Sequence, residues 1–304
     1  MMHEKSLNEE IDQLKDLKVL TETYETIAAS AMRRIRESVF KNREFHSGLI
    51  DIFQEVKRVY HHELVGLSAR QKASVVRVFP LIDPNKRTVF VLLSSNAGLY
   101  GEIVSKTFSL FMNEYRRQNP VPDVLVVGRV GQRLFEEAFP GALFTYFEAP
   151  DTDIDLSALN QIVGYLKQYE RVIVFYGVFK NILNQSAIST DISGEVASSE
   201  ENNSGKEKVS YLFEPSLETV AIFFETEIFA SLVEQAFHEW RLAKVANRFV
   251  LMDRASLNID QSLKNTLTLI RRISHRSANK QLINSLSGAS LWGATLGREN
   301  LFHR

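Results

Sequence analysis

The chain has no cysteine, which removes disulfide staples, thiolate nucleophiles and Cys-ligated zinc from consideration. It has almost no net charge: 36 basic residues against 37 acidic ones leave −1, so there is no bulk attraction to nucleic acid or to an anionic membrane. Any functional charge must therefore be local. Proline is scarce, with 7 in 304 residues, none before Pro80 and none after Pro215, so both ends lack the residue that most reliably breaks a helix. No apolar run approaches the roughly 20 residues that span a bilayer. Met1 to Asp16 mixes charge with Leu7, Ile11 and Leu14, unlike the cationic start and apolar run of a signal peptide. The expectation is a protein kept in the cytoplasm, with no direct transmembrane segment, that reaches a membrane only through a partner. Neither a P-loop nor a GxGxxG fingerprint occurs.

The proline-free ends carry helical periodicity instead. Apolar residues fall at Leu7, Ile11, Leu14, Leu17, Leu20, Tyr24, Ile27, Ala31, Ile35 and Val39, then at Leu49, Phe53, Val56 and Tyr60. Spacings of three and four predict one amphipathic helix of about 50 residues, on the order of 75 Å at 1.5 Å per residue. After Pro215 the pattern returns from Val220 through Phe224, Ile228, Leu232, Ala236, Trp240 and Ala243 to Ile273, interrupted by Asn247, Asn258, His275 and Arg276. A narrow apolar stripe on a very long helix needs a partner. The simplest solution is an antiparallel coiled coil between the two ends.

Between them the chain turns β-rich. Thr88 to Leu93, Val124 to Val127, Leu143 to Phe147, Arg171 to Tyr176 and Val209 to Phe213 predict strands; Ile103 to Arg117, Gln132 to Ala138 and Leu156 to Tyr169 predict helices. That alternation implies a mainly parallel sheet with crossover helices. The expected class is α/β: long N- and C-terminal helices in an antiparallel coiled coil plus a central Rossmann-like α/β domain. The expected divisions are 1–65 (N-terminal helix), 75–214 (central domain, with a flexible hairpin or loop at 186–208), 215–290 (C-terminal helix) and 291–304 (an extension).

Chemistry-bearing constellations are few. Gly98-Leu99-Tyr100-Gly101 and Gly128-Arg129-Val130-Gly131 each follow a predicted strand, where a strand-to-helix turn accounts for the glycines without a ligand. His61, His62 and Glu63 are adjacent and so point in different directions on a helix, which argues against a metal site. His238, Glu239 and Trp240 are expected to divide between helix surface and stripe. Ser94 and Ser95 lack the glycines of a nucleophile elbow. No cofactor, metal or catalytic site is expected. Basic residues cluster at Arg33, Arg34, Arg36, Lys41 and Arg43, and again at Arg271, Arg272, Arg276 and Lys280. They are either solvated faces or bands that meet an acidic partner; nucleic acid is disfavoured because a net basic domain with interleaved aromatics is missing.

Seven segments, in order, resemble the gamma subunit family of F-type ATP synthases. Ile27 to Arg34 (IAASAMRR) is similar to its VAASKMRR, Ser95 to Gly101 (SNAGLYG) to its SDRGLCG turn, and Val127 to Gly131 to its hydrophobic-Gly-basic-x-Gly turn. Tyr176 to Gln185 (YGVFKNILNQ) resembles YNKFVNxxxQ, Tyr211 to Ser216 (YLFEPS) is identical to a common family form, Met252 to Ser256 resembles MDNAT, and Ser287 to Ala289 resembles the SGA near the usual C-terminus. The chain departs from the family at Asn96, Ala97 and Tyr100, at Glu22, Tyr24 and Glu25, and over Arg271 to Arg276, as a paralogous or alternate form would. The resemblance implies a non-catalytic central rotor shaft that couples ion flow to ATP synthesis or hydrolysis. Its implied partners are the alpha, beta, epsilon and delta subunits and the membrane c-ring, at the cytoplasmic face of the inner membrane. It further implies that Arg33, Arg34, Arg271, Arg272 and Arg276 meet the alpha/beta ring, and that the turn with Ser95, Asn96, Gly98 and Tyr100 lies near epsilon and the c-ring. The rival readings are an α/β ligand-binding protein and a coiled-coil scaffold unrelated to ATP.

Overall fold

The computed structural model describes residues 2–65, 87–151, 156–193 and 217–299. The chain divides into two compact units, one of Met1–Glu25 with Met252–Arg304 and the other of Thr26–Leu251. In chain order the elements are α1 (Met2–Val65), β1 (Thr88–Leu93), α2 (Glu102–Tyr115), β2 (Asp123–Val127), α3 (Arg129–Ala138), β3 (Thr145–Phe147), α4 (Leu156–Leu166), β4 (Arg171–Phe179), β5 (Gln185–Asp191) and α5 (Leu217–Glu299). The terminal helices hold 64 and 83 residues. Average globular helices have about 11–12.

In the larger unit, five strands lie in the order β3-β2-β1-β4-β5, parallel except for the antiparallel β4–β5 hairpin. Strand alternation sends Val89, Val91 and Leu93 of β1 to one face and Phe90 and Leu92 to the other. On the first face they bury with Ile103 of α2, Ile162 and Leu166 of α4, and Ile228, Phe229, Leu232 and Trp240 of α5. On the second face Phe111 and Phe135, both fully buried, meet Phe90 and Phe175, with Phe111 edge-on to Phe175 at 5.2 Å. Both faces are covered, so these strands are nearly continuous apolar runs.

The long helices also pair in this unit. Buried positions on α1 are Ala28, Ile35, Val39, His46, Leu49 and Phe53, a 7-4-7-3-4 spacing. Ala28, Ile35 and Val39 pack with Leu242 and Val245 of α5; further along α1, Arg43 donates to Glu239 and His46 Nδ1 lies 3.2 Å from Ser231 Oγ. Numbers rise on α1 as they fall on α5, so the pairing is antiparallel. In the smaller unit Leu7 and Ile11 of α1 and Thr266 of α5 are buried, and Lys18 Nζ reaches Asp260 Oδ1 at 2.6 Å.

Several expectations change. The N-terminal helix continues well past 50 residues. The third strand begins at Thr145 instead of Leu143, whose side chain is 93% exposed just after the Gly141 turn at φ +82°. The range 186–208, expected as a hairpin or loop, opens with strand β5, whose residues supply an edge to β4 through backbone pairing and not through apolar alternation; its residues 194–208 and the expected strand at Val209–Phe213 lie outside the described residues. Among the described residues no helix is long and apolar enough to cross a membrane.

Candidate functional site

The residues that follow β1 run at first like a strand. Ser94 N–H donates to Val127 O and Val130 N–H to Ser95 O, each at 2.8 Å. The chain then turns. Asn96 secures that turn to the exits of β2 and β3: its Oδ1 accepts from the Arg129 N–H at 3.1 Å and its Nδ2 donates to Ala149 O at 2.8 Å. Ser95 Oγ donates to Ala97 O at 2.9 Å, which ties the hydroxyl to the turn. Glycine is required where backbones close in. Gly128 has φ +99°, and a Cβ there would lie 2.9 Å from the Ser95 backbone; a Cβ on Gly131 would lie 2.5 Å from Ser94 Cβ.

A single carboxylate organises the tip. Asp151 Oδ2 accepts the N–H groups of Asn96 and Ala97 at 3.0 and 2.9 Å, while Oδ1 accepts Lys244 Nζ at 2.6 Å. The Lys244 and Asp151 side chains are 5% and 11% exposed, so this is a buried ion pair. The Lys244 ammonium also lies over the rings of Tyr100 and Trp240, at 5.2 and 5.5 Å. One helical turn later, Arg248 stacks on Tyr100 at 3.9 Å and donates to Leu99 O and Gly98 O at 3.2 and 3.0 Å. Leu99, between them, is held at φ +66°, which is uncommon for a branched side chain.

Burial sets the electrostatics. The Tyr100 hydroxyl is pushed up to about 12, first by desolvation and then by the Asp151 charge, with Arg248 pulling the other way; at neutral pH it is a phenol. Burial draws the Lys244 ammonium below the usual lysine value, and Asp151 opposes that shift.

In a doubly wound sheet the ligand crevice lies at the carboxyl ends of the strands, where the strand order reverses. Here that place, at the exit of central β1, is taken by α5. Trp240 is buried and donates its indole N–H to Ser94 O at 2.8 Å, with Lys244 beside it. The cavity bounded by Ser94, Val127, Ala149, Trp240 and Lys244 measures about 30 Å³, room for water and far short of a nucleotide. Among the described residues no group of three His, Asp or Glu side chains is arranged for a metal.

Other predicted residues fall as follows. Ser95 and Tyr100 point inward and shape the turn, Asn96 is half-buried, and Gly98 is exposed together with Ala97 and Leu99. A partner at this turn would therefore meet Ala97, Gly98 and Leu99, not the Ser95 or Tyr100 side chains. Arg33 and Arg34 are exposed on α1 in the larger unit; Arg271, Arg272 and Arg276 are exposed on α5 in the smaller one. His61, His62 and Glu63 belong to α1, with side chains outside the described residues. Glu239 is buried against Arg43, where a partly surface position was expected. The sequence reading missed Asp151, Lys244 and Arg248. A signal existed for Lys244, which lies four residues after Trp240 on the apolar face of a helix.

A family model described as ATP synthase matches residues 3–290. The ATP synthase gamma chain of Geobacter sp. (strain M21) is 21% identical over 304 residues, covering 95% of this chain and 98% of the relative. That of Roseiflexus castenholzii is 24% identical over 301 residues, covering 94% and 97%. Among solved structures, a chain of the Tetrahymena thermophila mitochondrial ATP synthase central stalk/c-ring superposes with a TM-score of 0.55 at 17% identity, covering 78% of this chain and 99% of that one. A chain of the Euglena gracilis mitochondrial ATP synthase OSCP/F1/c-ring gives 0.51 at 14% identity, covering 88% and 96%. At these identities the likeness is one of fold. With the family matched over nearly its whole length, this chain belongs to the ATP synthase gamma-chain family.

Proposed function

We propose that this chain is the central rotor shaft of an F-type ATP synthase, with no active site of its own. One observation carries the reading: the place where a doubly wound sheet would take a ligand is filled by Trp240 and Lys244 of an 83-residue helix that pairs antiparallel with α1. The sheet serves as a mount for helices. The partners are the alpha and beta subunits that hold the catalytic sites, together with epsilon, delta and the c-ring, at the cytoplasmic face of the inner membrane. Arg33 and Arg34, with Arg271, Arg272 and Arg276, meet acidic loops of the ring, and the turn at Asn96 and Gly98 lies toward epsilon and the c-ring. A shaft without threefold symmetry inside a near-threefold ring contacts each catalytic subunit differently. Rotation then changes nucleotide affinity in turn, because a ligand equilibrium shifts only through differential contact.

The test is co-purification from cells that express the tagged chain, followed by equilibrium dialysis of the isolated chain with nucleotides. Recovery of alpha, beta and epsilon with no stoichiometric nucleotide on the isolated chain is expected. Tight nucleotide binding by the chain alone, or recovery of none of those subunits, would replace the rotor with a ligand-binding or scaffold protein.

A further inference from the structure

A rotor whose sheet domain and C-terminal helix are distinct elements needs a contact between them that does not slip under load. The hydrophobic term is non-directional and roughly proportional to the apolar area removed from water. A buried, charge-assisted hydrogen bond has a defined length and direction. The sheet domain and α5 share such a bond. Asp151 holds the turn after β1 by two N–H groups and holds Lys244 of α5 with its other oxygen. Arg248, a turn further along α5, takes the carbonyls of Gly98 and Leu99 in the same turn. So α5 grips the turn twice, once through its donors by way of Asp151 and once through its acceptors directly.

The energetics suit a mechanical role better than a stabilising one. Desolvation of both ions offsets most of their attraction, so a buried pair adds little net stability, whereas removing one partner strands a charge. We propose that the Asp151–Lys244 pair is the joint that passes load between the turn after β1 and helix α5, with Lys244 as the positioning residue for that turn. This rests on the rotor reading above. Arg248 and the Tyr100 ring form the second grip.

The experiment uses the assembled complex, purified on the tagged chain and reconstituted in phospholipid vesicles. ATP hydrolysis, ATP-driven ion pumping and the torsional stiffness of the rotor, read from fluctuations of a bead on the stalled shaft, are measured for wild type, Lys244→Met, Asp151→Asn and the double variant. Each single variant is expected to assemble and hydrolyse ATP at near wild-type rate, with the pumping-to-hydrolysis ratio and the stiffness lowered about twofold or more. The double variant is expected to be no worse than the worse single one, because both remove one joint. If Lys244→Met fails to assemble, the nearly isosteric Asp151→Asn decides the matter. Unchanged stiffness and pumping ratio in a variant that assembles overturns the joint, even if its thermal stability falls. Failure of the rotor reading is distinguishable, since the wild-type chain would then recover no alpha and beta subunits.

Discussion

Trp240 on α5 donates its indole N–H to the Ser94 carbonyl at 2.8 Å, closing the end of central strand β1 with a buried ring. Gly177 opposite comes so near that a Cβ there would lie 2.8 Å from the indole. The ring thus satisfies a carbonyl that no neighbouring strand takes and fills the crevice at once. Trp240→Phe keeps much of the volume but orphans that carbonyl, and should cost about 1–3 kcal/mol; Trp240→Ala should cost about 3–5 kcal/mol. Urea unfolding of the isolated chain measures both. Equal and negligible losses would mean the indole is not a core element.

The glycines separate close approach from backbone freedom. Gly128 needs both, with φ +99° and Ser95 backbone atoms 2.9 Å from a Cβ, so Gly128→Ala should destabilise by about 2–4 kcal/mol. Gly141 has φ +82° and open space, so Gly141→Ala should cost only about 1–2 kcal/mol. Gly164 lies within α4 with nothing near it, and Gly164→Ala should stabilise by about 0.5–1 kcal/mol. Thermal melts that fail to rank the three in that order would reject this reading of the turns.

Much of this was legible in the sequence, and the reason is periodicity. Val89 to Leu93 reads as a strand because both its faces are covered, and Ile35, Val39, Leu49 and Phe53 read as helix because burial recurs at heptad spacing. Strand β5, QSAISTD, was not legible: it is an edge held by main-chain bonds to β4, which leave no pattern in side chains. The Asp151–Lys244 pair was equally hidden, because residues 93 apart meet only once the sheet is built. The arginines were legible as charge, and the structure leaves all five exposed, with Arg33 and Arg34 on α1 and Arg271, Arg272 and Arg276 on α5.

His46 is buried on α1 beside Ser231, and burial lowers its pKa from the ordinary value of 6.5. The sign follows from linkage. Below about 6.5 the unfolded chain takes up a proton that the folded chain resists, so this contribution to stability is full above that pH and is lost as pH falls toward the depressed folded value. Melting temperature should therefore fall more steeply between pH 7 and pH 5 for wild type than for His46→Asn, pH values chosen to bracket the ordinary range of about 6.5. Parallel pH profiles would mean that the imidazole is as free to charge when folded as when unfolded.

The arginine bands are exposed, so reversing them should barely touch the isolated chain. Each of Arg33→Glu, Arg34→Glu, Arg271→Glu, Arg272→Glu and Arg276→Glu should change stability by no more than about 0.5 kcal/mol. In the assembled complex the combined reversal should lower ATP-driven torque by about fivefold or more. Intact assembly and torque would remove these residues from the ring interface.

Rotation itself is the most direct measurement. A gold rod attached to this chain, in complexes fixed to glass by their beta subunits, should turn in one direction and in discrete steps when ATP is supplied, and stop when it is withdrawn. A complex that hydrolyses ATP while the rod stays still would contradict the role assigned to the chain.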